Sequence, residues 1–170
     1  MEIIILKFIL CVFIVFFFNA CSTKVIIEPE VIDSLNINKK IYAKIVGKKT
    51  FVPNVIVEDE NSILSANYSI AESYNISGKG TDVLNLFNPL LLVGFPMGDN
   101  LIIIISNLKL IKNEKIVKEY NSKCLHTYTR NLFGNPNFTA MRNKCLQELE
   151  NNINLQIIDH IKKGELNEIQ

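Results

Sequence analysis

Histidine and arginine are scarce in this 170-residue chain, with two of each: His126 and His160, Arg130 and Arg142. A catalytic pair built on imidazole would have to be assembled by the fold from these isolated groups, and both histidines read as surface or strand-end residues. Zinc has no cluster of cysteine and histidine at ligand spacing to bind. A glycine-rich phosphate loop and a nucleophile elbow are also missing, and the serines sit in strand-like surroundings. The formal net charge of +1 gives no electrostatic ground for binding nucleic acid. Glu58, Asp59 and Glu60 form an acidic run, but carboxylates on consecutive residues point in different directions, and a solvated loop accounts for them. These absences leave the chain reading as non-enzymatic, with no cofactor and no metal.

Asparagine and lysine, by contrast, are abundant: 21 asparagines, and 16 lysines among the 18 basic residues. The bias runs along the whole chain, so Asn-based motifs such as Asn67-Tyr68-Ser69 carry little weight as glycosylation acceptors. Most apolar of all is the start. Eleven consecutive apolar residues run from Phe8 to Phe18, preceded by Lys7 and followed by the small or polar residues 19–22. A spanning helix needs roughly 20 apolar residues, so this short run ending at small residues has the layout of a secretory signal peptide.

The end of that run, Phe18-Asn19-Ala20-Cys21, resembles the lipobox of bacterial lipoproteins, in which a cysteine after a small residue is lipidated and becomes the new N-terminus. Phe18 and Asn19 depart from the family's preferred Leu and small residue, while Ala20 and Cys21 match. The resemblance implies lipid on Cys21 and a membrane as the first partner. Each buried CH₂ contributes ~0.8 kcal/mol and more than one chain is needed for a stable anchor, a condition that several acyl chains on one residue meet. By resemblance to enteric lipoproteins, Ser22 after the cysteine, where Asp would favour the inner membrane, implies the periplasmic face of the outer membrane, as opposed to the inner membrane or the cell surface.

Cleavage before Cys21 leaves 150 residues, the size of one domain with a tether. The resulting division is a signal peptide at 1–20, a lipidated N-terminus and tether at 21–39, one domain at 40–164 and a tail at 165–170. Of the four cysteines, Cys11 lies in the signal and Cys21 takes the lipid. In an oxidising periplasm the remaining two, Cys124 and Cys145, tend to pair; the competing reading is two reduced, buried thiols.

Periodicity supplies the elements. Val25 to Ile27 suits a short edge strand ahead of Pro29, Ile41 to Val46 a strand ended by Gly47, and Phe51 to Val57 a second strand. From Leu64 to Ser77 apolar residues fill the even positions with Glu72 as the exception, which predicts a half-buried strand; a helix joining Ile63, Asn67, Ile70 and Tyr74 competes. Leu101 to Ile111 and Lys115 to Tyr128 predict a hairpin that buries Ile102, Ile104, Leu108 and Leu110 on one arm and Ile116, Tyr120, Cys124 and Tyr128 on the other. A helix from about Phe138 to Lys163 follows, with Met141, Cys145, Leu149, Ile153, Ile157 and Ile161 as its stripe and Gly164 as its stop.

Residues 81–100 are strongly apolar yet broken by Pro89, Gly94, Pro96 and Gly98, so no regular spanning helix fits them. They read either as a buried connection or as an exposed apolar loop, in which Leu90, Leu91, Leu92, Val93, Phe95 and Met97 touch a membrane or a partner. The expected fold is α+β: an antiparallel sheet of about five or six strands with one long C-terminal helix packed on it. In size, anchor and hairpin-then-helix order it is loosely similar to small periplasmic lipoproteins that assist envelope assembly. That likeness implies a lipid-anchored protein binding an envelope protein partner or a second copy of itself. The alternative is a periplasmic carrier of a lipid or other apolar ligand.

Overall fold

The computed structural model describes residues 23–31, 39–76, 89, 91, 97–130 and 137–166. Six strands, β1 (Thr23–Glu28), β2 (Ile41–Gly47), β3 (Ile56–Glu58), β4 (Leu64–Ile76), β5 (Gly98–Lys112) and β6 (Lys115–Arg130), form one sheet in the order β1-β6-β5-β4-β2-β3, and a helix α1 (Phe138–Lys162) follows. The class is α+β. The sheet is mixed where a purely antiparallel one is expected, because β2 runs parallel to both of its neighbours, β3 and β4. All other pairs are antiparallel.

The parallel pairs arise from the chain after Gly47. Phe51 takes a positive φ of 61°, and the Ile56 N–H turns back to the Pro53 carbonyl at 2.9 Å. The predicted strand over 51–57 therefore shrinks to Ile56–Glu58. Residues 48–55 instead return along the helix side, where Pro53 and Val55 are buried and the Val55 N–H donates to Asn154 Oδ1 of α1 at 2.9 Å. That return sets β3 beside β2 in the same direction.

The alternating stretch forms a strand, β4, and not a helix, with Leu64, Ala66 and Tyr68 buried. β5 and β6 join through Asn113 and Glu114, both at positive φ (51° and 62°), as a tight two-residue hairpin turn requires. Ile102, Ile104, Leu108 and Leu110 face inward with Tyr120, Cys124 and Tyr128, as the alternation predicts. Ile116 does not: a bulge between Leu110 and Ile111 shifts the register near the hairpin tip, and Ile116 is 56% exposed.

Helix α1 is capped by Asn137, whose side-chain oxygen accepts from the Ala140 N–H at 3.1 Å, and it ends before Gly164 at φ 73°. The predicted stripe is buried along its whole length. Leu146, Asn152 and Ile158 are buried too, and Asn152 Nδ2 donates to the Pro29 carbonyl at 2.8 Å, tying the chain after β1 to the helix. Between helix and sheet lie two apolar clusters, one around Leu108, Leu110, Tyr120, Ile153 and Ile157, the other around Ile102, Ile104, Cys124, Cys145 and Leu149. The cross-strand pair Ser106 and Ser122, both buried, sits between them along the hairpin.

Candidate functional site

Four strand ends meet at one pole of the sheet. β1 enters there with Thr23 opposite Tyr128, β4 leaves with Ile76 opposite Asn100, and β5 enters with Gly98 opposite Arg130, where β6 ends. The Met97 N–H donates to the Arg130 carbonyl at 2.7 Å. Cys21, two residues before Thr23, and the apolar segment between Ile76 and Met97 therefore both join the sheet at this pole. Cys21 itself lies outside the described residues, as do Leu90, Leu92, Val93 and Phe95. Of the predicted contact residues that are described, Leu91 is 5% exposed and Met97 is half-buried.

On the helix side of the pole, Asn100 Nδ2 donates to the Tyr128 hydroxyl at 2.8 Å, and His126 lies across from Ile102 on the same face. His126 is a core residue, 3% exposed, and not the surface or strand-end residue expected. The reason is parity: it belongs to the even set of β6, with Cys124 and Tyr128. Burial pushes its pKa down, the Met141 carbonyl pulls it back up and Lys144 adds to the lowering. Cys124 and Cys145 are joined by a disulfide with Cα atoms 5.7 Å apart. It pins β6 to α1 one step from His126 on the inward face.

The opposite face of the sheet is a second candidate. Cross-strand partners on this face form the row Ile26, Leu125 and Ile103, with Leu101 on one side and Ile105 on the other. Ile26 is 39% and Ile105 43% exposed, and among the described elements none packs here; α1 lies on the other face. Farther from the pole the same face turns polar, and Asn107 Nδ2 donates to Glu119 Oε1 and Asn121 Oδ1 at 2.6 Å each. This apolar strip is absent from the sequence expectations, although a signal exists. Leu101 to Ile105 is an unbroken run of five apolar residues, which in a strand makes both faces apolar.

A third feature brings the other histidine into contact. His160 Nδ1 is 3.3 Å from the Tyr120 hydroxyl, and its Nε2 stands 3.8 Å from Glu165 Oε2. A cleft beside it is lined by Pro29, Glu30, Val31, Gln156 and Asp159. Burial and Lys118 push the His160 pKa down, against the pull of Glu165 and Asp159. Burial, with a smaller push from Glu165, raises that of Tyr120. At neutral pH the phenol is thus a hydrogen-bonding group and not a base, so the array ties the end of α1 to β6.

Of the acidic run, Glu58 pairs with Lys49, and Asp59 Oδ1 accepts from the Asn61 N–H at 3.0 Å. Among the described residues no group of three or more His, Cys, Asp or Glu side chains is placed to hold a metal ion, and no helix is long and apolar enough to cross a membrane. No family model matches the chain, and no curated protein is significantly similar to it.

Proposed function

We propose that this chain is a lipid-anchored, non-enzymatic envelope protein, held by lipid on Cys21 at the periplasmic face of the outer membrane, that binds an envelope protein partner. The observation that supports it is topological: the start of β1 and both ends of the apolar segment 77–96 belong to one pole of the sheet. A lipid two residues ahead of Thr23 would bring that segment, with Leu90, Leu92, Val93, Phe95 and Met97, to the membrane-proximal side. Its partner would then be met close to the bilayer. The disulfide is in keeping with an oxidising compartment.

The test is to extract the mature protein from native membranes in mild detergent and determine what accompanies it. A stoichiometric complex with one envelope protein, lost in Phe95→Asp while the domain stays folded, is the expected result. A bound lipid or other small apolar molecule in native mass spectrometry, without a protein partner, would replace this reading with that of a carrier.

A further inference from the structure

Within the tether expected over residues 21–39, a short stretch is paired into the sheet. β1 occupies Thr23–Glu28, and Pro29 is held against α1 by Asn152. Only Ser22 separates Cys21 from Thr23, the first paired residue of β1, and two residue steps of at most about 3.6 Å span no more than about 7 Å. A lipid on Cys21 would thus hold the edge of the sheet at the bilayer surface, with almost no freedom to lift away.

We infer that the face of the sheet opposite α1, along Ile26, Leu125 and Ile103, docks against the lipid bilayer. This rests on the anchored reading above and says how the domain lies once anchored. Three observations lead to it. First, the strip adjoins the anchor: Ile26 is five residues from Cys21, roughly 17 Å of extended chain at about 3.3 Å per residue, and Leu101, Ile103 and Leu125 lie in the cross-strand rows led by Lys24 and Ile26.

Second, the apolar strip is bounded on both sides. Asp99 and Thr129 close it at the pole, and Asn107, Lys109, Glu119 and Asn121 close it farther away, so hydrocarbon would meet only a narrow band a few residues deep. Third, the exposed Lys24 begins the row that holds Thr127 and Leu101, and a lysine at such a boundary lays its stem along apolar surface and reaches lipid headgroups with the ammonium; Lys123, beside Leu125, is instead paired with Glu28 at 3.4 Å. The strip need not bind membranes unaided. A tethered face meets the bilayer as an intramolecular event, so a small apolar area suffices.

The chain contains no tryptophan, so a single introduced indole reports from one position. The full chain, made in a bacterium that processes lipoproteins, is prepared as Ile103→Trp, Leu125→Trp and, on the polar half of the same face, Asn107→Trp. Mass spectrometry of the N-terminal peptide first establishes acylation of Cys21. Each protein is then placed in vesicles of phosphatidylethanolamine and phosphatidylglycerol with brominated acyl chains. Severalfold stronger quenching of the indoles at 103 and 125 than at 107, with blue-shifted emission, is expected. Equal quenching at all three positions on an acylated protein overturns the docking and leaves the anchor standing. Shielding of position 103 that arises only when envelope proteins are added overturns it in favour of a protein partner. An unmodified Cys21 removes the anchored reading and the docking together. Two probe positions guard against one substitution that fails to fold.

Discussion

Glu72 of β4 accepts two hydrogen bonds from the Arg142 guanidinium of α1, the Nε donor at 2.7 Å. Tyr74 also donates to this carboxylate, and Lys48 lies 3.8 Å away. Glu72 is the charged exception on an otherwise apolar face of its strand, and the exception has a partner. Beyond Ile70 the face of β4 clears the apolar core, and a planar, two-pronged donor on the first turns of α1 satisfies the carboxylate where apolar packing ends.

Losing this pair will cost modest stability with a defined pH dependence. The Arg142 bond, helped by Tyr74 and Lys48 and opposed by burial, holds the Glu72 carboxyl down to about 2, against 4.5 when unfolded. A depressed carboxylate stabilises the fold fully above its unfolded value and loses that contribution as pH falls toward its folded value. Arg142→Met is expected to lower stability at pH 7 by about 1 kcal/mol, the upper range for partly exposed pairs. Urea midpoints of the variant and the parent will converge between pH 4.5 and pH 2; a gap that stays constant over that interval would contradict the assignment.

The disulfide links positions 21 residues apart inside a fully buried cluster. On the chain-entropy view, a loop of that length contributes about 3 kcal/mol. Cys124→Ala/Cys145→Ala is expected to lower the free energy of unfolding by that order, read from urea midpoints. Because both sulfurs are shielded, mild reductant will leave the native protein unchanged and act only once denaturant opens the helix from the sheet. Thiol titration against time, with and without urea, reads this directly.

Much of the fold was legible because its longest elements carry their own periodicity. Period-two patterns gave β4 and the hairpin, and a stripe at helical spacing gave α1, since half-buried strands and helices each set apolar residues at their own repeat. The pairing of Cys124 with Cys145 followed from cysteine arithmetic and two inward-facing patterns. What stayed hidden depends on tertiary choices. Nothing local in residues 48–55 says that they return along the helix side and leave β2 between two parallel neighbours. The pole exists only once β1 has paired with β6 and β4 with β5, so no stretch of sequence announces it. His126 shares the parity of Cys124 and Tyr128, so its place in the strand foretells burial where its residue type does not.

Gly47 ends β2 at φ 94°, and a Cβ there would sit 2.5 Å from the Tyr68 carbonyl oxygen. That oxygen already accepts the Lys48 N–H at 3.0 Å, so it is held from both sides. Gly47→Ala combines a left-handed backbone with a clash against rigid main chain, and strain of this kind costs about 1–3 kcal/mol. A thermal midpoint several degrees lower, with the far-ultraviolet spectrum retained, is the expected result. An unchanged midpoint would mean that β2 can end without this close approach to β4.

Both histidines will make stability fall in mild acid, in a window separate from that of Glu72. Burial is the leading cause of the lowered pKa at His126 and at His160. A base with a folded pKa below its unfolded value near 6.5 binds its proton more readily in the unfolded chain. The fold therefore keeps its full stability above about pH 6.5 and loses it as pH drops from there toward pH 5. Beside burial, His126 meets the Met141 carbonyl, which raises its pKa, and Lys144, which lowers it; His160 meets Lys118 and Lys163, which lower its pKa, and Glu165 and Asp159, which raise it. His126→Gln and His160→Gln should each flatten the loss of stability as pH falls below about 6.5, as read from urea midpoints at half-unit pH steps. A curve that His126→Gln leaves unchanged would mean that His126 does not titrate from within the core. Below pH 4.5 both variants retain a loss to which Glu72 contributes beside Asp159 and Glu165, which Lys163 and Lys118 hold down, and adding Glu72→Gln should diminish it.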